Sequence, residues 1–233
     1  MHSSGGKNLS FDEARVQLRA ALHILPDDDN DLRAILLIRA GIIEERSRRL
    51  HDALRFYSEA APLVERSEDH ALKGSFHFEY GLVLRRLSAP ENREEYLDRA
   101  LIEYAASSFH YEQAGNELAL ARVELNLGHL FFTIGKYAVA HDHLDLARHL
   151  FLKLKDAETA AQVDDTRART LLAEGHIQQA ERIARQAVES LSAATHNRCW
   201  RKPLALKASP WHDWGTIVAP RPHWIELSRS RKR

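Results

Sequence analysis

A single cysteine, Cys199, occurs in 233 residues. No internal disulfide can form, so nothing calls for an oxidising compartment. With no acid–base constellation beside it, Cys199 reads as an inert thiol rather than a nucleophile. The chain has neither a GxxxxGK[ST] nor a GxGxxG phosphate loop, and no GxSxG nucleophile elbow. It also lacks HExxH and paired CxxC spacings, the usual zinc signatures. No run reaches the roughly 18 apolar residues of a membrane helix, and Met1-His-Ser-Ser-Gly-Gly has no signal-like apolar core. The expectation is a soluble cytoplasmic protein that is not an enzyme, with no catalytic residues, cofactor or metal.

What is present is unevenly distributed. Lys+Arg and Asp+Glu both number 33, yet residues 195–233 hold nine basic and two acidic residues, a charge of +7. The other 194 residues carry 24 basic and 31 acidic, hence −7. An acidic body with a basic tail follows. That tail holds all four tryptophans and four of the seven prolines.

Apolar spacing predicts helices throughout the body. Residues 1–9 read as a flexible leader. Ser10 and Glu13 fit a capping box for a helix to Leu25. Further helices are expected over Asp31–Arg46, from Leu50 into the sixties with a kink at Pro62, and over Asp69–Leu87. Ser88-Ala-Pro-Glu-Asn92 reads as the longest internal loop, with Pro90 suited to a first helical turn. Helices over 93–113, 116–134, 137–154, 157–173 and 177–191 follow. No alternating strand pattern appears before residue 195, so the body is all-α.

A repeat underlies this order. Small residues recur at Ala53, Ala100, Ala140 and Ala180, spaced 47, 40 and 40. A second series, Gly41, Gly81, Gly128 and Ala168, is spaced 40, 47 and 40. One seven-residue insertion between Gly81 and Ala100 explains both irregularities. Ala14 lies 39 before Ala53, so the first helix reads as the second half of a hairpin. The segments are then a half-repeat at 10–25, repeats at about 31–66, 69–113, 116–154 and 157–192 within a domain of 10–194, and an irregular tail at 195–233.

Asn126-Leu-Gly-x-x-Phe, Gly135-x-Tyr137, Ala140, Leu144 and Ala147 resemble the tetratricopeptide repeat (TPR) signature. Its usual period is about 34 residues, and the 40-residue step is similar to the variant of kinesin light chains and bacterial signalling proteins. The resemblance covers residues 10 to 192 and is weakest in the fourth unit, where Arg167-Ala168 replaces Leu-Gly. It implies an α–α superhelix whose first helices line a concave groove. The groove would receive Arg39 and Ile42, then Glu79, Leu82 and Arg85, then Arg122, Asn126, His129 and Phe132, then Asp165 and Arg169. Asn126 would bond a peptide backbone. Arg39, Arg85, Arg122 and Arg169 would clamp carboxylates, against a plainer reading of intrahelical pairs such as Glu44 with Arg48. His141, Asp145 and His149 share a helix face but read as solvated side chains. The adjacent carboxylates Glu44-Glu45 and Asp164-Asp165 read likewise.

The expected function is a non-catalytic protein- or peptide-binding module. It would be a regulator or adaptor, or a piece of a larger bacterial signalling or transcription regulator. The alternatives are a homo-oligomeric scaffold joined through the incomplete N-terminal repeat, with Leu18 and Leu22 at the contact, or nucleic-acid contact through the basic tail. The terminal Arg229-Ser-Arg-Lys-Arg233 cluster is a weak motif, so nucleic acid is not favoured.

Overall fold

The computed structural model describes residues 11–26, 29–91 and 94–200, with side chains for 11–26, 29–88 and 94–190. The leader, Ser10 of the capping box and residues 201–233 lie outside the described residues. Nine helices and no strand occur among those described: α1 (Phe11–Ile24), α2 (Asn30–Arg46), α3 (Leu50–Arg66), α4 (His70–Glu91), α5 (Glu94–Gln113), α6 (Glu117–Thr133), α7 (Tyr137–Lys153), α8 (Ala157–Ala173) and α9 (Ile177–Trp200). The last helix, α9, runs on through residues 195 to 200. Helix thus replaces irregular chain at the first six residues of the expected tail.

The even-numbered helices begin with a repeated chemical signal. Asp29, Asn116 and Asp156 each accept at Oδ1 from the backbone N–H three residues on, at 3.0, 3.1 and 3.0 Å. Asp69 does the same for Ala71 and Leu72. These carboxylates and amides satisfy N–H groups that a helix start leaves orphaned. Their spacing is 40, 47 and 40, the step of the glycine series. Arg49 and Lys136, which open α3 and α7, make no such side-chain bond. They are reached instead through tight turns with one left-handed residue each, Arg48 (φ 63°) and Gly135 (φ 76°). At five turns a backbone N–H reaches back five residues, as in Lys136 to Phe131 (2.9 Å) and Asp156 to Phe151 (2.9 Å), the six-to-one bond of a Schellman cap.

The inserted seven residues do not form the expected loop. Aligned on the 40-residue step, α4 runs five residues further than α2, and α5 starts three residues earlier than α3 would place it. Seven residues are about two helical turns, so each helix lengthens by roughly one turn while the faces stay in register. Pro90 therefore lies in the last turn of α4, where few carbonyls remain to be bonded, rather than opening a helix. Ser88 Oγ donates to Arg85 O (2.7 Å) there. The α3 helix runs through Pro62 to Arg66.

Consecutive helices pack as hairpins. Ala53, Ala100 and Ala140 are fully buried where they cross, and Ala180 nearly so. Across from them Tyr57 lies over Gly41 and Tyr104 over Gly81. Non-consecutive contacts join α2 to α4 and α6 to α8, which places the even-numbered helices along the inner, concave face. The odd-numbered helices form the outer layer.

The acidic pairs depart from the solvated reading. Glu44, Glu45 and Asp164 are 4, 4 and 5% exposed, because each faces a neighbouring helix that brings an arginine. Glu44 is held by Arg15 (2.8 Å) and Arg49 (3.4 Å), not by Arg48. Glu45 is held by Arg86, and Asp164 by Arg148 and Arg167.

Candidate ligand-binding groove

Equivalent positions along α2, α4, α6 and α8 stack into rows across the inner face. Two residues before the Gly/Ala position stand Arg39, Glu79, Asn126 and Thr166. One residue after it stand Ile42, Leu82, His129 and Arg169. The first row runs from an exposed cation to a buried hydroxyl. The second turns from aliphatic to cationic.

Arg85, His129 and Arg169 come together across α4, α6 and α8. Burial, with the positive fields of Arg85 and Arg169, pushes the His129 imidazole down to about 4, so it is neutral at physiological pH. Its ring meets Phe132 edge-on at 6.3 Å. The Arg169 guanidinium lies 5.2 Å from the Phe132 centroid, a cation–π contact that holds an exposed charge over an aromatic floor. Arg85 is half-buried, and its Nε has no hydrogen-bond partner.

Arg122 and Asn126 sit one turn apart on α6, both half-buried. Asn126 Nδ2 donates to Arg122 O (2.8 Å). One donor of the amide is thereby spent on its own helix, leaving Oδ1 and the second N–H for a ligand. Arg39 is exposed on α2.

Glu79 lies beneath the inner surface, only 5% exposed. Burial, followed by the negative field of Glu45, pushes its carboxyl up to about 8, against the opposing pull of Arg46 and Arg86. It is therefore protonated at neutral pH and does not neutralise the groove arginines. Around it are Tyr57, Tyr104 and Tyr111, each raised by burial, with Tyr111 pushed to about 12. The Tyr57 hydroxyl is buried without a hydrogen-bond partner among the described residues, and the Tyr104 hydroxyl lies against the Arg85 guanidinium. This polar floor was not legible in the sequence. The tyrosines belong to the outer helices, and only their position opposite Gly41 and Gly81 could have suggested that they reach across.

A division among the arginines sets the groove's chemistry. Arg15, Arg49, Arg86, Arg148 and Arg167 are all paired with carboxylates. Among the described residues, Arg85, Arg122 and Arg169 take part in no ion pair. A hollow of about 640 Å³ lies elsewhere, bounded by Pro26, Asp29, Asp31, Arg66 and Glu68 at the start of α2. It opens widely to solvent and gathers none of these cations.

On the outer face His149 is exposed, while the other two members of its row have partners. His141 Nε2 meets Glu174 at 2.8 Å, and Asp145 pairs with Arg167 at 2.7 Å. No group of three or more metal-ligating side chains occurs among the described residues. No described helix is long and apolar enough to cross a membrane.

No family model and no curated protein matches the chain. Solved structures do. BtubC (BKLC) from P. vanneervenii superposes with a TM-score of 0.71 at 19% identity, over 85% of this chain and 78% of that one. A Rap protein complexed with competence and sporulation factor gives 0.63 at 16%, over 78% of this chain and 48% of its own. MamA gives 0.58 at 13%, over 84 and 99%. These neighbours are TPR-type proteins, and at such identities the likeness speaks for the fold alone. The architecture is a TPR-like α–α superhelix.

Proposed function

We propose that this chain is a non-catalytic binding module that holds a segment of another protein along its inner face, with carboxylates of that segment engaged by Arg122 and Arg169. The observation that carries this reading is that Arg85, Arg122 and Arg169 form no ion pair among the described residues, Arg169 feeling only the more distant field of Asp165 one turn before it, whereas Arg15, Arg86, Arg148 and Arg167 are each paired with a carboxylate. A guanidinium presents a planar donor fork suited to carboxylate. Phe132 adds an apolar platform, and the free half of the Asn126 amide can bond a ligand backbone irrespective of its sequence. TPR-like neighbours serve as protein-interaction modules, which supports an adaptor or regulatory role of the kind found in bacterial signalling proteins. The test is fluorescence anisotropy of acidic, neutral and basic extended peptides against the full chain and Arg122→Ala/Arg169→Ala. Preference for acidic peptides, lost in the variant at unchanged melting temperature, is the expected result. Equal binding by both proteins removes the groove assignment.

A second reading rests on α1. Ala14, Leu18, Ala21 and Leu25 stand where Ala53, Tyr57, Ala60 and Val64 stand in α3. The latter four are at most 2% exposed, whereas Ala14, Leu18 and Ala21 of α1, and Leu25 just past its end, are only half-buried. A second copy would cover this face. Sedimentation velocity of Leu18→Glu against the unaltered chain decides it, since a concentration-dependent dimer must disappear in the variant.

A further inference from the structure

The outer helix α5 breaks the pattern of its counterparts. Its buried stripe is Ala100, Tyr104, Ser107 and Tyr111. At about 100° per residue, Ile102 and Phe109 fall within roughly 20° of the opposite direction. They are 67 and 54% exposed, with exposed Ala105 between them. At the positions of Ile102, the other outer helices carry Arg55, Asp142 and Arg182. At those of Phe109 they carry Pro62, His149 and Glu189. At those of Ala105 they carry Ser58, Asp145 and Arg185. The repeat therefore needs no apolar residue here; Phe109 meets the His70 ring of α4 edge-on at 6.3 Å on one side, and its remaining surface stays exposed with Ile102 and Ala105.

The rim is acidic. Glu94, Glu95 and Asp98 are exposed on the N-terminal side of the stripe and Glu112 on the C-terminal side. The nearby Arg99 is engaged with Tyr80, donating to its hydroxyl at 2.6 Å with the guanidinium 5.7 Å from the ring centroid.

We propose that the outer face of α5 docks a basic amphipathic helix of another protein, which seats an apolar stripe on Ile102, Ala105 and Phe109 and places lysines or arginines against the acidic rim. Apolar anchors at i, i+3 and i+7 match one face of such a helix, and Ala105 allows close approach at the crossing. A single-helix contact buries less than the roughly 1,200 Å² of a stable interface, so the complex is transient and its affinity falls with added salt.

The probes are two synthetic helical peptides sharing one leucine–alanine stripe, flanked by lysines in the first and by glutamates in the second. Binding to the full chain is read by anisotropy, beside Ile102→Ser/Phe109→Ser and Arg122→Ala/Arg169→Ala. The lysine peptide is expected to bind at least about tenfold more tightly than the glutamate peptide, as several exposed ion pairs would give. It should lose at least about tenfold on the α5 double variant, a modest share of two buried apolar side chains, and be unaffected by the groove variant. Both α5 positions are exposed, so melting temperature should hold. Equal binding of the two peptides, or no loss on the α5 variant, overturns the proposal. So does a self-association of the chain that the α5 variant abolishes while neither peptide binds, which would assign the face to a second copy.

Discussion

Leu144 of α7 lies directly over Gly128 of α6, so closely that a Cβ on Gly128 would fall 2.5 Å from Leu144 Cγ and 3.3 Å from Ala140 O. Alanine is the better helix former by about 1 kcal/mol, yet Gly128→Ala is expected to lower stability by about 1 to 3 kcal/mol, the usual result of overpacking a close crossing. In a Leu144→Ala background the same substitution should become neutral or stabilising. Urea unfolding of the four proteins in this cycle measures the coupling.

Arg48 and Lys155 hold the left-handed conformation at turns where Gly115, Gly135 and Gly175 hold it elsewhere, with φ of 63° and 60°. A side chain there crowds its own carbonyl. Arg48→Gly and Lys155→Gly should each stabilise the fold by about 0.5 to 1 kcal/mol, after the greater freedom of glycine in the unfolded chain is subtracted. Gly135→Ala should do the reverse. Thermal melts of the three variants give the comparison.

Glu79 makes stability depend on pH. Its folded-state carboxyl is raised from 4.5 to about 8, chiefly by burial, so the native state keeps a proton that the unfolded chain releases near 4.5. Its contribution is complete below that value, declines as pH rises, and is gone by about 8. Each unit of separation corresponds to about 1.4 kcal/mol. His129 acts oppositely: lowered from 6.5 to about 4 by burial and two arginines, it costs stability as pH falls through that window. Between 6.5 and 8 the Glu79 slope stands apart from His129, and Glu79→Gln should flatten the dependence of the urea midpoint there. A slope unchanged in Glu79→Gln would show that the carboxyl is ionised in the native state.

The helices were legible because their signals are local. Asp29, Asn116 and Asp156 cap where the apolar rhythm begins, and the small residues at Gly41, Gly81, Gly128 and Ala53, Ala100, Ala140 mark the crossings. Pro90 misled because a proline reads alike in a loop and in a helix's last turn, and only a seven-residue insertion matched to two turns distinguishes them. Arg85, Arg122, His129 and Arg169 could be placed on the inner face from repeat register alone. Which arginines lack carboxylates could not be read, since Glu44, Glu45 and Asp164 find theirs on other helices, as Asp164 with Arg148 at a separation of sixteen residues. Glu79 looked like a groove residue for the same reason, because register gives direction along a helix but not the depth to which neighbours cover it.

Asp164 joins the third hairpin to the fourth. Its Oδ1 accepts from Arg148 Nε and Arg167 Nη1, both at 2.8 Å, and its Oδ2 from Arg148 Nε at 3.0 Å. Arg167 continues the chain of charge to Asp145 on α7. Asp164→Ala would leave two guanidinium groups facing each other at the α7–α8 junction without their shared acceptor. Removing one partner from a fully buried pair costs about 3 to 5 kcal/mol. Here both arginines are partly solvated, at 36 and 20% side-chain exposure, so about 2 to 3 kcal/mol is expected. Asp164→Leu with Arg148→Met and Arg167→Met should recover most of the loss, because the desolvation of three charges disappears with their attraction. In a solenoid the damage should also be directional, since each repeat is stabilised by its neighbours. Hydrogen exchange in Asp164→Ala should therefore quicken in α8 and α9 while α2 to α5 keep their protection. A uniform loss along the chain would mean that the hairpins unfold as one cooperative unit rather than repeat by repeat.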